Sequence, residues 1–293
     1  MLILSCDSGV ENDTERLVVE AFIDTGRDLP SVSVRRTVGT GASQQEAYGA
    51  LVADARVELS IAETTVEYVP APNEPGRYDP VVASGMRPSA GSSFSLSVEW
   101  RERFATASGM TPSPLSIDSI YVFVPDEPVA AVLLDSLVLD SLEVNSTRGY
   151  VYPVEMTVWW TQPEDSELTD DYWVQAQLRP YSEFSSLVLD MFLLPEEVFK
   201  EVDADSPRPG VRFWRGIYAV LVDWADAPLP AHSVRVSILR SGLDYARYAT
   251  SRDDPGRREP ISNVRGGLGV VAGISIDSVR VNVTSVGDFV LEP

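Results

Sequence analysis

Nucleophilic catalysis would depend on two residues, because the chain contains a single histidine, His232, and a single cysteine, Cys6. A Ser-His-Asp triad needs the histidine as its base, and no G-x-S-x-G motif accompanies it. Cys6 lies in an N-terminal tail, where a Cys-His pair is not expected. His232 directly precedes a predicted strand, so we interpret it as a loop or strand-edge residue. We therefore predict no catalytic residues and no enzymatic activity.

Carboxylates are abundant, since the chain carries 44 Asp and Glu residues. At that density some pair of carboxylates satisfies almost any spacing, so the presence of a glycosidase-type pair is not informative. A hydrolase of unknown substrate is therefore only the third hypothesis for the function. Calcium prefers oxygen ligands, and Asp203, Asp205 and Asp253 are the weak candidates for it. The sequence after Asp205 departs from the calcium-loop pattern. We expect solvated loop acids, no bound metal and no cofactor.

A glycine-rich run follows Arg265, with Gly266, Gly267 and Gly269. A phosphate-binding loop would end in G-K-[ST] and would follow a strand and open a helix, and this run does neither. The glycines are instead predicted to permit a turn or bulge and close strand packing.

Aromatic residues offer a possible interface. Trp159 and Trp160 are adjacent in a predicted strand, so their side chains point to opposite faces and one of them is expected to be exposed. Tyr172 and Trp173 would lie near that face if their strands pair. The other aromatic residues are expected to pack in the core.

The charge balance excludes one class of partner. The 23 basic residues against 44 acidic ones give a net charge of −21, which repels phosphate backbones, so we predict no nucleic-acid binding. Lys200 is the only lysine. An acid excess with almost no lysine is typical of proteins adapted to salt, where carboxylates maintain hydration. Coding bias toward Arg would explain the missing lysine but not the excess of acids.

The N-terminus resembles a bacterial lipobox. Ile3-Leu4-Ser5 precedes Cys6, and a polar, acidic tether follows it, so residues 1–14 are predicted to be a lipidation signal and tether with the anchor on Cys6. The alternative is an ordinary start with a buried apolar strand. No apolar run approaches the 18 or so residues of a membrane-spanning helix.

Short alternating segments predict a mainly β fold. Residues 55–61 and 94–100 alternate polar and apolar side chains, as half-buried strands do. We predict an N-terminal β-sandwich over 15–113, similar to immunoglobulin-like or carboxypeptidase-regulatory domains, and a β-rich domain over 114–293. A short helix is expected near 241–251. Leu239, Leu243 and Ala246 would form its apolar face, and Ser241 and Asp244 its capping pair.

Three groups of residues carry a resemblance to a known family. The first comprises Cys6 with its tether and residues 17–21, 55–59, 75–78, 92–98 and 112–120, the second is Asp171-Tyr172-Trp173, and the third is Leu239, Tyr245 and Tyr248 with residues 259–273. The last run, from Ser262-Asn263 through the glycines, is the most specific. Together they resemble a family of Bacteroidota outer-membrane lipoproteins of unknown function, whose genes commonly lie beside those of TonB-dependent receptors.

The resemblance implies a non-catalytic protein that is lipid-anchored in the outer membrane and acts as an accessory of a TonB-dependent receptor. A secreted or surface adhesion or matrix protein is the alternative. The family has no known catalytic residues, so none are transferred.

Overall fold

The computed structural model describes residues 15–38, 50–81, 85–130, 149–161, 171–179, 188–189, 200–202, 210–252, 254–257 and 259–291. Within these ranges the chain is mainly β with one short helix, which confirms the predicted mainly β class. None of the helical structure described there is long and apolar enough to cross a membrane.

Among the described residues the elements follow one another in chain order, and the helix described there is α1 (Leu243–Arg252), which precedes β16. The strands are β1 (Leu17–Asp24), β2 (Val32–Arg36), β3 (Arg56–Ile61), β4 (Thr64–Pro70), β5 (Arg77–Pro80), β6 (Ser93–Trp100), β7 (Arg103–Met110), β8 (Ile117–Val124), β9 (Val129–Ala130), β10 (Tyr150–Thr161), β11 (Tyr172–Arg179), β12 (Val188–Leu189), β13 (Lys200–Val202), β14 (Val211–Val222), β15 (His232–Ser241), β16 (Gly267–Val283) and β17 (Gly287–Leu291).

The chain divides into two compact units. Unit 1 contains the residues up to Pro112 together with Ser241–Ile274, and unit 2 contains Ser113–Arg240 together with Ser275–Pro293. The predicted C-terminal domain at 114–293 therefore includes a segment that the structure groups with the first unit. The reason is the parallel pairing of β1 with β16, which joins Leu17 to Gly267 and Asp24 to Ile274. A parallel pair needs a long crossover connection, here supplied by unit 2.

The core of unit 1 follows from strict alternation along its strands. Its strand order is β16-β1-β2-β5-β4-β3-β6-β7, where β16 contributes its first half. In β3 and β6 the apolar residues predicted to face inward are buried, including Leu59, Leu96 and Val98. Each such side chain contributes about 1.5–3 kcal/mol relative to full exposure.

The two ends of that strand order meet at a single bridge. The Thr106 N–H donates to the Arg265 carbonyl at 2.9 Å, and the Arg265 N–H donates to the Thr106 carbonyl at 2.7 Å. Arg265 lies two residues before β16, so β7 is held on both sides at this point. The bridge places residues 261–265 beside β7.

Unit 2 has two sets of strands around one core. The first has the order β13-β11-β15-β16 and the second has the order β12-β14-β10-β8-β17, with β9 beside β10. Trp160 of β10 and Tyr172 of β11 contact each other in this core, with ring centroids 5.2 Å apart in an edge-on arrangement.

The helix near 241–251 is confirmed, but its predicted apolar face is only partly right. Leu239 and Ser241 belong to β15, and the helix begins only at Leu243. Leu243 is 46% exposed, whereas Ala246 is buried as predicted, together with Tyr245 and Ser251. The Ser241 hydroxyl donates to the Gly242 carbonyl at 3.1 Å. Strand β15 continues to Ser241, two residues beyond Leu239, the first residue of the predicted apolar face. A partly different set of helix residues therefore faces the core.

Candidate functional site

A pocket of about 380 Å³ lies in unit 1 beside β7. This volume falls within the usual range of small-ligand sites, about 300–1,000 Å³. Its wall comes from three parts of the chain that the bridge at Thr106 brings together: β7, α1 and the segment before β16. The lining residues are Ser108, Asp244, Arg247, Ile261, Ser262, Asn263, Val264 and Arg265.

Side-chain hydrogen bonds to the backbone hold the segment 261–265 in place. The Asn263 amide donates to the Val271 carbonyl at 2.8 Å, and its oxygen accepts from the Val271 N–H at 3.0 Å. The Ile261 N–H donates to the Ser251 hydroxyl at 2.7 Å, which ties the segment to the last turn of α1. The Asn263 side chain thus makes the two backbone hydrogen bonds to Val271 that a neighbouring strand would otherwise make, and it holds the pocket wall in position.

The glycines that follow permit close backbone approach, as predicted from the sequence. Gly266 has a φ of +77°, and a Cβ there would lie 2.2 Å from the Phe104 carbonyl oxygen. Gly269 has a φ of +107°, and a Cβ there would lie 2.1 Å from the Val19 carbonyl oxygen. Any side chain at either position would collide with backbone atoms that cannot move away. The run from Ser262 to Gly269 therefore forms the pocket wall and packs it closely against β1 and β7.

Two arginines at the pocket have no carboxylate partner among the described residues. Arg247 of α1 and Arg265 are both exposed, and the structure shows neither in an ion pair within the ranges it describes. Asp244 contributes one carboxylate, so the three charged side chains of the lining sum to +1. Other arginines of unit 1 pair with acids, for example Arg16 with Glu259 at 2.8 Å. In a chain with 44 acids and 23 bases, a locally positive lining is a distinguishing feature.

Exposed apolar side chains flank the pocket. Alternate residues of β7 share its outer side, and Phe104 and Met110 there are 57% and 45% exposed. Ile261, in the pocket wall, is 37% exposed. We call this set the β7 surface: Phe104, Thr106, Ser108, Met110 and Ile261. This surface was not predicted from the sequence, although the small, buried Ala105 and Ala107 between more exposed residues were a usable signal.

The aromatic residues considered for an interface are mostly in the core. Trp160, Tyr172 and Trp173 are buried, and Trp159 is the one left half-buried. Their strands do not pair: β10 lies between β8 and β14, and β11 lies between β13 and β15. Of these four side chains, Trp159 is the one that remains a candidate for an interface. Trp224, which the sequence analysis assigned to the core, is 55% exposed.

His232 lies in a buried hydrogen-bonded pair in unit 2. Its Nδ1 lies 2.8 Å from the Pro230 carbonyl and its Nε2 lies 2.7 Å from the Tyr218 hydroxyl. A carbonyl only accepts, so Nδ1 carries the proton and Tyr218 donates to Nε2. Burial lowers the pKa of His232 and raises the pKa of Tyr218. The arrangement keeps both groups neutral and agrees with a structural residue at the start of β15.

Several predicted site residues lie outside the described residues. These are Cys6, the lipidation candidate, and Asp203, Asp205 and Asp253, the calcium candidates. Across the parts of the chain that the structure does describe, no group of three or more His, Cys, Asp or Glu side chains is arranged to hold a metal ion.

The fold and pocket define a two-unit β protein with a ligand-sized, locally positive pocket in its first unit. A family model matches residues 5–280, and the chain belongs to that family, the Domain of unknown function (DUF4249). Neither the comparison with curated proteins nor that with solved structures gave a match.

Proposed function

We propose that the protein is a non-catalytic binding protein, lipid-anchored in the outer membrane through Cys6, that acts as an accessory of a TonB-dependent receptor. A source among the Bacteroidota and adaptation to salt belong to the same proposal. Its support from the sequence is the resemblance described above, and the chain belongs to a family of unknown function. The single structural observation that carries the binding role is the β7 surface around the pocket.

This surface has the composition that protein interfaces favour. Phe104 and Met110 supply apolar contact area, and Arg265, which bridges to β7, supplies a charged group next to it. Aromatic and arginine side chains dominate the binding energy of many interfaces. Apolar contacts also persist in concentrated salt, where the Debye length falls to about 3 Å at 1 M and exposed ion pairs weaken.

A pull-down from the native membrane tests the proposal. The tagged protein is recovered from detergent-solubilised membranes of its own host, and co-purifying proteins are identified by mass spectrometry. We expect a TonB-dependent receptor with the wild-type chain and less of it with Phe104→Ala. Trp224→Ala is the matched control, because it removes an equally exposed aromatic side chain from unit 2.

Each outcome has a distinct meaning. Loss of the receptor with Trp224→Ala but not with Phe104→Ala would move the interface to unit 2 and contradict the role of the β7 surface. Recovery of the wild-type protein alone, even after cross-linking, would contradict the accessory role and favour a free-standing adhesion or matrix protein.

A further inference from the structure

The pocket lies where a β-ladder opens. Thr106 and Arg265 form a hydrogen-bonded antiparallel pair, so the next such pair would be Ser108 with Asn263, two residues further along each strand. No hydrogen bond joins Ser108 to Asn263. Instead, both residues line the pocket.

The backbone of Ser108 faces this opening. Odd-numbered residues at the end of β7 bond toward β6, as the Thr111 N–H does when it donates to the Ser92 carbonyl at 3.0 Å. Even-numbered residues face the other way, as Thr106 does toward Arg265. By the same alternation the Ser108 N–H and C=O point away from β6 and toward the pocket. They form one open rung of a ladder.

The side chains around this rung add a specific charge. Arg247 and Arg265 offer guanidinium donors, which match carboxylates in a two-pronged geometry and have no acid partner among the described residues. The side chain of Asn263 is already occupied by Val271, so it does not compete for the ligand. Asp244 is the one acid of the lining and leaves the pocket net positive.

We propose that the pocket binds a short peptide segment in extended conformation, whose backbone pairs with Ser108 and whose carboxylate contacts Arg247 and Arg265. Adding a strand to an open ladder position is a common mode of peptide recognition, with side-chain pockets giving specificity. This inference rests on the proposed binding function and names the chemistry of the segment that is bound. The segment is one that the receptor of the proposed function supplies.

Binding of a defined probe tests this inference. The probe is a fluorescent acetyl-Thr-Val-Glu-Val-Thr-amide, and its affinity for the full chain is measured by fluorescence anisotropy. Its two comparison peptides have Gln in place of Glu, or N-methyl groups on alternate amides that block strand pairing. We expect both changes to weaken binding, the first by about ten-fold because hydrogen bonds to charged groups are the stronger ones.

Variants of the protein separate this site from general charge effects. Arg247→Gln and Arg265→Gln are expected to weaken the Glu probe but not the Gln probe. Arg257→Gln is the matched control in unit 1, because Arg257 is exposed and pairs with Asp254 at 3.5 Å. Asp244→Asn is expected to strengthen binding of the Glu probe, since it removes the one repelling carboxylate. A merely structural role of Asp244 would not produce that gain.

The outcomes distinguish the inference from the proposed function. Equal affinity for the Glu, Gln and N-methylated probes, or no binding at all, overturns the peptide site. The receptor pull-down is an independent test, so its result can support the proposed function even if the peptide site is overturned. If the probe binds and also displaces the receptor in the pull-down, the receptor supplies the segment. If the probe binds without displacing the receptor, the site holds a free peptide.

Discussion

Removing the Asn263 side chain should destabilise unit 1 by several kilocalories per mole. Asn263 makes two hydrogen bonds to the backbone of Val271, which is fully buried. Asn263→Ala removes both bonds and leaves a buried N–H and a buried C=O of Val271 without these partners. At about 1–3 kcal/mol for each of the two buried groups left unsatisfied, we expect a loss of about 2–6 kcal/mol in the free energy of unfolding.

Equilibrium urea denaturation measures this loss, and hydrogen exchange of peptides from β1 and β16 assigns it to unit 1. Two controls grade the effect. Ser262→Ala removes one bond, from the Val264 N–H, and should cost about 1 kcal/mol. Asn73→Ala changes an exposed residue and should remain within about 0.5 kcal/mol of wild type. If Asn263→Ala behaves like Asn73→Ala, the reasoning that Asn263 holds the pocket wall is refuted.

Four further predictions follow from the structure and the sequence. Gly269→Ala should destabilise the protein far more than Gly91→Ala in thermal unfolding, because both have positive φ but only Gly269 lies against backbone, at Val19; equal losses would contradict the packing argument. Because burial lowers the pKa of His232 from its ordinary 6.5, the unfolded chain binds a proton that the folded chain does not, so stability should fall as the pH drops from 7 through 6.5 toward the lowered value. His232→Gln should reduce that loss of stability, measured by urea denaturation at a series of pH values, and an unchanged pH dependence would refute the assignment to His232. With a complete signal peptide supplied, wild type should fractionate with membranes and Cys6→Ala should not; equal pelleting would contradict lipid anchoring. The melting temperature should rise as NaCl goes from tens of millimolar to about 1 M, because salt screens the repulsion of a net charge of −21, and a flat or falling trend would contradict salt adaptation.

Local patterns predicted the strands of unit 1 because each is half-buried. Residues 55–61 and 94–100 have one face toward the core and one toward solvent, and alternation reports that arrangement directly. The same rule fails for Tyr172 and Trp173, which are adjacent and both buried. This end of β11 is covered on both faces, so it has no exposed side for the pattern to identify.

The pairing of β1 with β16 could not be predicted from the sequence for a different reason. The return of residues 241–274 to unit 1 depends on β16 pairing in parallel with β1, some 250 residues earlier in the chain. No turn signal marks such a pair. The pocket depends on the same return, so Arg247 and Arg265 showed no sign of belonging to one site. Only the specific run from Ser262 to Gly269 indicated that this part of the chain was unusual.

Site-specific photo-cross-linking in the native host tests the central claim, that the β7 surface binds a protein partner. A photoreactive phenylalanine analogue replaces Phe104 in one strain and Trp224 in another, and the cross-linked products are identified by mass spectrometry. We predict a cross-link to a TonB-dependent receptor from position 104 and none from position 224. A receptor cross-link from position 224 alone, or cross-links from neither position, would contradict it.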